Sequence, residues 1–319
     1  MDHNVALVLG GGGAAGQAWQ IGVIAGLAEA GLDLTEAADL VIGTSSGSTT
    51  AAQVRSGIPT AELLAAVLSP TVQPPGVQPP GVQPGGQAPS RPRAAVFERM
   101  RAIGAAATSA ADLRRAMGAF GLESDSVLGP GAAQRRAMVA ARLPRAEWPE
   151  RPMIVVAVNA HTGELAAFDR DSGVDLADAV TASTALPGVS ATHSINGARY
   201  INGGVRSAEN ADLASGYANV VVLSPFGGAN RTAPERDAGA GADADAGGQF
   251  EGLRRFPGAD LASQVEALRE QGSHVEVITP DADSLAAMGT NQMDPATRGP
   301  SARAGLAQGR QEATRVALR

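Results

Sequence analysis

Cysteine and lysine are both absent from the 319 residues, and aromatic residues make up only 3%. Without cysteine there is no disulfide, no thiol nucleophile and no thiolate-bound zinc or iron–sulfur site. Without lysine there is no Schiff-base amine and no phosphate-gripping P-loop lysine. All 25 basic residues are arginine, set against 32 carboxylates for a net charge of −7. That acidic balance argues against non-specific nucleic-acid binding as the main activity. So few aromatics leave the core to Ala, Val, Leu and Ile. At 44% hydrophobic and 18% charged, the composition is that of a globular protein. The length gives room for a sizeable core.

One long stretch, Val5 to Ala28, carries no charge and is long enough to imitate a membrane span. Gly10 to Gly13 interrupt it, with Gln17 and Gln20 behind them. The start, Met1-Asp2-His3-Asn4, has no positive charge of the kind that opens a signal peptide. The better expectation is a buried strand, a glycine turn and a buried helix, in a cytoplasmic protein. Val5–Leu9 is a continuous apolar run, as in a buried parallel strand. A second strand, Asp39 to Ile42, leads into Gly43-Thr44-Ser45-Ser46-Gly47 and helical patterns to about Leu68. Strands are expected again at Met153–Val158, Asn219–Leu223 and Val275–Thr279. Asn196-Gly197 marks a hairpin between His193–Ile195 and Ala198–Ile201. Helices are expected at Ala259–Gln271 and Ala302–Leu318. This order predicts an α/β fold with a parallel-rich sheet flanked by helices.

Three segments depart from that pattern. Residues 70–93 hold three near-copies of Val-Gln-Pro-Pro-Gly, beginning at Val72, Val77 and Val82, and read as a flexible Pro/Gly/Gln-rich insertion. Residues 94–143 read as a helical insertion. Between Arg91 and Arg145 lie ten arginines and four carboxylates, a basic stretch on an acidic chain. It is either a solvated helical face or a cap that meets anionic headgroups in a peripheral membrane contact. Residues 227–249 read as a Gly/Ala/Asp-rich loop. Since all three can loop out of one sheet, residues 1–319 are expected to form a single domain.

Two motifs carry chemistry. Gly11-x-Gly13-x-x-Gly16 lies between a strand and a helix, as in dinucleotide-binding folds. The second strand, however, ends in Gly43-Thr44-Ser45 with no carboxylate for a ribose, and Asp33 precedes it. The other use of such a turn is to aim backbone N–H groups of Gly11, Gly12 and Gly13 at an oxyanion. Gly43-Thr44-Ser45-Ser46-Gly47 has the Gly-x-Ser-x-Gly spacing of a nucleophile elbow, with Ser45 exposed at a strand-to-helix turn. His3, His161, His193 and His274 are the histidines available as base, and none has a compelling position.

Taken together these residues resemble the patatin-like phospholipases, a family of lipid acyl hydrolases. Gly11-Gly-Gly-Ala-Ala-Gly16 is similar to the family's oxyanion motif, and Gly43-Thr-Ser-Ser-Gly47 to its elbow. Ala182-Ser-Thr-Ala-Leu-Pro-Gly188 is similar to its Ala-Ser-x-Ala-x-Pro segment. Tyr200-Ile-Asn-Gly-Gly-Val205, followed by Asn210-Ala-Asp-Leu213, resembles its Asp-Gly-Gly region. The resemblance implies a Ser–Asp dyad without histidine, an acyl-serine intermediate, lipid or ester substrates, and no metal or cofactor.

Two positions depart from it. Ala15 stands where the family often has Arg or Lys, and Asn202 stands at the dyad aspartate. An amide cannot take the serine proton, so the chain as written is expected to be an impaired hydrolase. Alternatively it is a non-catalytic lipid- or acyl-binding protein on the same fold. The sequence leaves open whether Asn202 is native, was introduced, or deamidates at Asn202-Gly203.

Overall fold

The computed structural model describes residues 4–69, 93–129, 131–227 and 256–318. Most of the Pro/Gly/Gln-rich segment, and the 227–249 loop beyond Gly227, lie outside these residues, as does His3. Five strands run parallel at the centre of one sheet. They are β1 (Val5–Leu9), β2 (Leu40–Thr44), β3 (Met153–Asn159), β7 (Asn219–Leu223) and β8 (His274–Ile278), in the order β3-β2-β1-β7-β8. Beyond β3 the sheet turns antiparallel through β6 (Ala198–Asn202) and β5 (His193–Ile195), while β4 (Leu165–Phe168) also pairs with β3. Every residue of β1, β2 and β7 is buried, which explains their unbroken apolar runs. Asn196 and Gly197, at φ 50° and 82°, make the left-handed turn of the β5–β6 hairpin.

The uncharged stretch after β1 is α1 (Gly13–Glu29), with Ala15 to Leu27 all buried. It has no solvent face because the sheet covers one side and α11 (Arg298–Glu312) another. Glycines let the two backbones meet. A Cβ on Gly22 would come within 2.2 Å of Ala302 O, and one on Gly26 within 2.3 Å of Leu306 O. The paired residue numbers rise together, so α1 and α11 run parallel, with their N-termini at the same end. Among the described residues no helix is long and apolar enough to cross a membrane.

Of the remaining helices, α2 (Leu34–Ala37) precedes β2, α9 (Leu261–Glu270) precedes β8 and α10 (Ala282–Met288) follows it, while the others follow β2 and β3 or fill the segment between them. After β2 come α3 (Ser46–Val54) and α4 (Thr60–Leu68). The basic segment forms α5 (Arg93–Ala106), α6 (Ala110–Leu128) and α7 (Ala132–Ala140), and α7 packs on α8 (Leu176–Ser183). Asp33, the residue weighed as a ribose ligand, caps α2 (Leu34–Ala37) by accepting from Thr35 N–H at 2.9 Å. The closing helix begins at Arg298 rather than Ala302. Pro300 falls in its first turn, where a missing N–H costs no intrahelical bond.

Candidate active site

The carboxyl ends of β1 and β2 lie side by side, with Leu9 in register with Gly43. Each strand opens directly into a helix. At the end of β2 the chain reverses at Ser45, which has φ 55° and ψ −126°. A residue with a side chain occupies that region only at a cost. Two neighbouring glycines make the turn possible. A Cβ on Gly43 would lie 2.5 Å from Ser48 Cα, and one on Gly47 would lie 2.1 Å from Leu9 O. The Ser45 N–H donates to Ser183 Oγ at 2.9 Å, and Ser48 Oγ donates to Ser45 O at 2.6 Å. The elbow is therefore fixed from both sides, and Ser45 stands at the N-terminus of α3, where the helix dipole is positive.

The glycine turn packs against it. A Cβ on Gly11 would sit 3.3 Å from Ser45 Cβ. Gly12 N–H donates to Ser46 Oγ at 2.9 Å, joining the N-termini of α1 and α3. The three N–H groups read as oxyanion donors have different fates. Gly11 N–H is not open but bonded to Ala208 O at 2.9 Å. Gly12 N–H is held by a hydroxyl that can rotate away. Gly13 and Ser46 N–H have no partner among the described residues. Gln20, fully buried on α1, locks the turn by donating to Gly10 O at 2.8 Å while accepting from Thr50 Oγ1 on α3 at 2.9 Å.

Asn202 ends β6, is 3% exposed, and lies beside Ser45, with Nδ2 3.0 Å from Ser45 Oγ. Its Oδ1 accepts Gly204 N–H at 2.7 Å. A backbone N–H can only donate, so this bond fixes which way the amide faces. Asn202 N–H donates to Ala185 O at 2.8 Å. The Ala182–Gly188 segment thus braces both residues, Ser45 through Ser183 and Asn202 through Ala185. Asn210, at φ 57°, donates to Thr44 Oγ1 at 3.0 Å and Ser207 O at 2.7 Å, tying the end of β2 to the turn after Asn202.

The other titratable groups have different partners. Asp212 pairs with Arg206. His193 Nε2 lies 2.8 Å from Asp178, and burial lowers its pKa below 6.5 although Asp178 raises it. His274 faces Glu276 at 3.2 Å, and His161 is exposed in a turn. Among the described residues no histidine is hydrogen-bonded to Ser45, and no group of three histidines and carboxylates is placed to hold a metal.

Ser183, Gln20 and Asn210 were not singled out individually from the sequence. Ser183 and Asn210 do lie within motif segments, but their bonds join residues more than a hundred positions apart.

The model of the patatin-like phospholipase family matches residues 7–215. A search of curated proteins gave no match. Among solved structures, the crystal structure of VipD from Legionella pneumophila is 15% identical with a TM-score of 0.42, covering 98% of this chain and 66% of VipD. The chain thus spans just under two thirds of VipD's length.

Proposed function

The chain belongs to the patatin-like phospholipase family of lipid acyl hydrolases, and from that premise we propose that Ser45 is directed at the ester carbonyl of a lipid. Ser45 Oγ attacks the carbonyl carbon, and the oxyanion that forms is met by N–H groups of Gly12, Gly13 and Ser46. The positive ends of α1 and α3 add to that stabilisation. Gly11 contributes by having no side chain beside Ser45. Collapse of the intermediate expels the alcohol and leaves an acyl-serine, which water then hydrolyses.

Position 202 is where the serine proton should go. The observation that carries the reading is the pair of bonds at Asn202, Nδ2 to Ser45 Oγ and Oδ1 to Gly204 N–H. A carboxylate there would keep the Gly204 bond and turn its second oxygen to the serine hydroxyl as acceptor. The amide offers a donor instead, so Ser45 keeps its proton and acylation is slow. The same observation favours a second reading, in which the chain binds acyl lipids and does not turn them over.

A fluorophosphonate probe separates nucleophile from bystander. Labelling at Ser45, faster in Asn202→Asp and absent in Ser45→Ala, is the expected result. Labelling elsewhere, or none in Asn202→Asp, contradicts it.

A further inference from the structure

Cysteine is absent, so methionine carries all the sulfur in the chain. Among the described residues Met100, Met117, Met153 and Met288 are buried and Met138 is half-buried. Met293 differs from them, at 47% exposed. It lies in the turn between α10 and α11, and that turn is held in place. Asn291 Oδ1 accepts Met293 N–H at 3.2 Å, and Asp294 Oδ1 accepts Ala296 N–H at 2.9 Å. Gln292 O accepts Ala15 N–H at 3.0 Å, which ties the segment to the first turn of α1.

The thioether of Met293 rests on the glycine turn. A Cβ on Gly13 would lie 2.9 Å from Met293 Sδ, so the sulfur fills the space that a side chain at position 13 would need. Gly13 N–H is one of the groups proposed to meet the oxyanion, and it has no partner among the described residues. A thioether sulfur is only a weak acceptor and leaves such a donor free. Its sulfoxide is polar, with an oxygen that accepts hydrogen bonds.

We propose that Met293 is a peroxide-sensitive modification site whose oxidation switches off Ser45. This rests on the reading of Ser45 as ester-directed. The sulfur attacks one oxygen of hydrogen peroxide, the O–O bond breaks, and sulfoxide and water are the products. Sulfur loses two electrons and the peroxide gains them. The new oxygen stands beside the first turn of α1 and competes with the oxyanion for its N–H groups. It also brings the negative end of a dipole to a place where negative charge must develop. Reduction of the sulfoxide restores the site, and the exposure of Met293 gives a reductase access to it.

The test treats the full chain carrying Asn202→Asp with dilute hydrogen peroxide. Methionine oxidation is followed by peptide mass, and Ser45 by its rate of fluorophosphonate labelling. Met293 should oxidise ahead of Met138 and the four buried methionines. Labelling should slow by at least about fivefold, the worth of one competing hydrogen bond. It should recover with methionine sulfoxide reductases for both epimers. Adding Met293→Leu should keep labelling fast through the same treatment. Adding Met293→Gln, which brings an acceptor oxygen without oxidation, should slow labelling with no peroxide. Earlier oxidation of Met138 or a buried methionine overturns the proposal. So does labelling that is unchanged once Met293 is fully oxidised, or that slows equally in Met293→Leu. No labelling before peroxide counts instead against the ester reading, and the switch falls with it.

Discussion

Gly204 holds the side chain of Asn202 so that its donor, not its acceptor, meets Ser45. Several features that suit a serine nucleophile surround that pair. The backbone is strained at Ser45, two helix N-termini converge, and Gly11 leaves room beside the serine side chain. On the proposed reading, the arrangement is a hydrolase site with the sense of one hydrogen bond reversed.

The brace from α8 should be measurable. Ser183→Ala leaves Ser45 N–H without its acceptor in a half-buried position. We expect a loss of about 1–3 kcal/mol in denaturant unfolding, together with slower phosphonate labelling in Asn202→Asp. A change below about 0.5 kcal/mol would mean that the elbow is held by other contacts.

Two glycines beside Ser45 should behave differently. Gly47→Ala drives a Cβ to 2.1 Å from a backbone carbonyl that cannot move without shifting β1. It should cost more than about 3 kcal/mol or prevent folding. Gly11→Ala is tight only against Ser45 Cβ, at 3.3 Å, with the Phe226 ring at 3.7 Å and Ser45 Oγ at 3.8 Å in ordinary contact. It should fold, with thermal unfolding within a few degrees of the parent, and yet impair Ser45 labelling. Equal damage from both would show that Gly11 serves folding rather than access.

Acid should weaken the fold through His193. Asp178 faces the imidazole, with Arg135 and Arg136 behind it, and burial is the dominant influence. Its folded pKa lies below the 6.5 of a free imidazole, so the unfolded chain binds the proton first as pH falls. Stability is therefore lost below 6.5, and Asp178, whose carboxylate is held below 3.8, adds a further loss in stronger acid. The drop in Tm between about pH 7.5 and pH 5.5 should be smaller in His193→Asn than in the parent. Equal drops would place the acid-sensitive group elsewhere.

The parts of this site that were legible in the sequence are local. The apolar run Val5–Leu9, four glycines and a serine between glycines each encode their conformation within a few residues. Asn202 was legible because Gly203-Gly204 follows a hairpin strand. What was not legible depends on long-range pairing. The turn suggested that Gly11 N–H was open, but Ala208, on the far side of the sequence, takes it. β4 alternates weakly because its first and third residues are exposed, so it gave no strand signal.

The most direct test of the account is ester turnover by the chain as written against Asn202→Asp, on the same short-chain phospholipid. Replacing the amide by a carboxylate restores the proton acceptor and leaves the Gly204 bond intact. The rate should rise by at least about 100-fold, the lower end for a general base, and Ser45→Ala should abolish it. An Asn202→Asp variant that folds and is no faster than the parent would contradict the assignment of position 202 as the base.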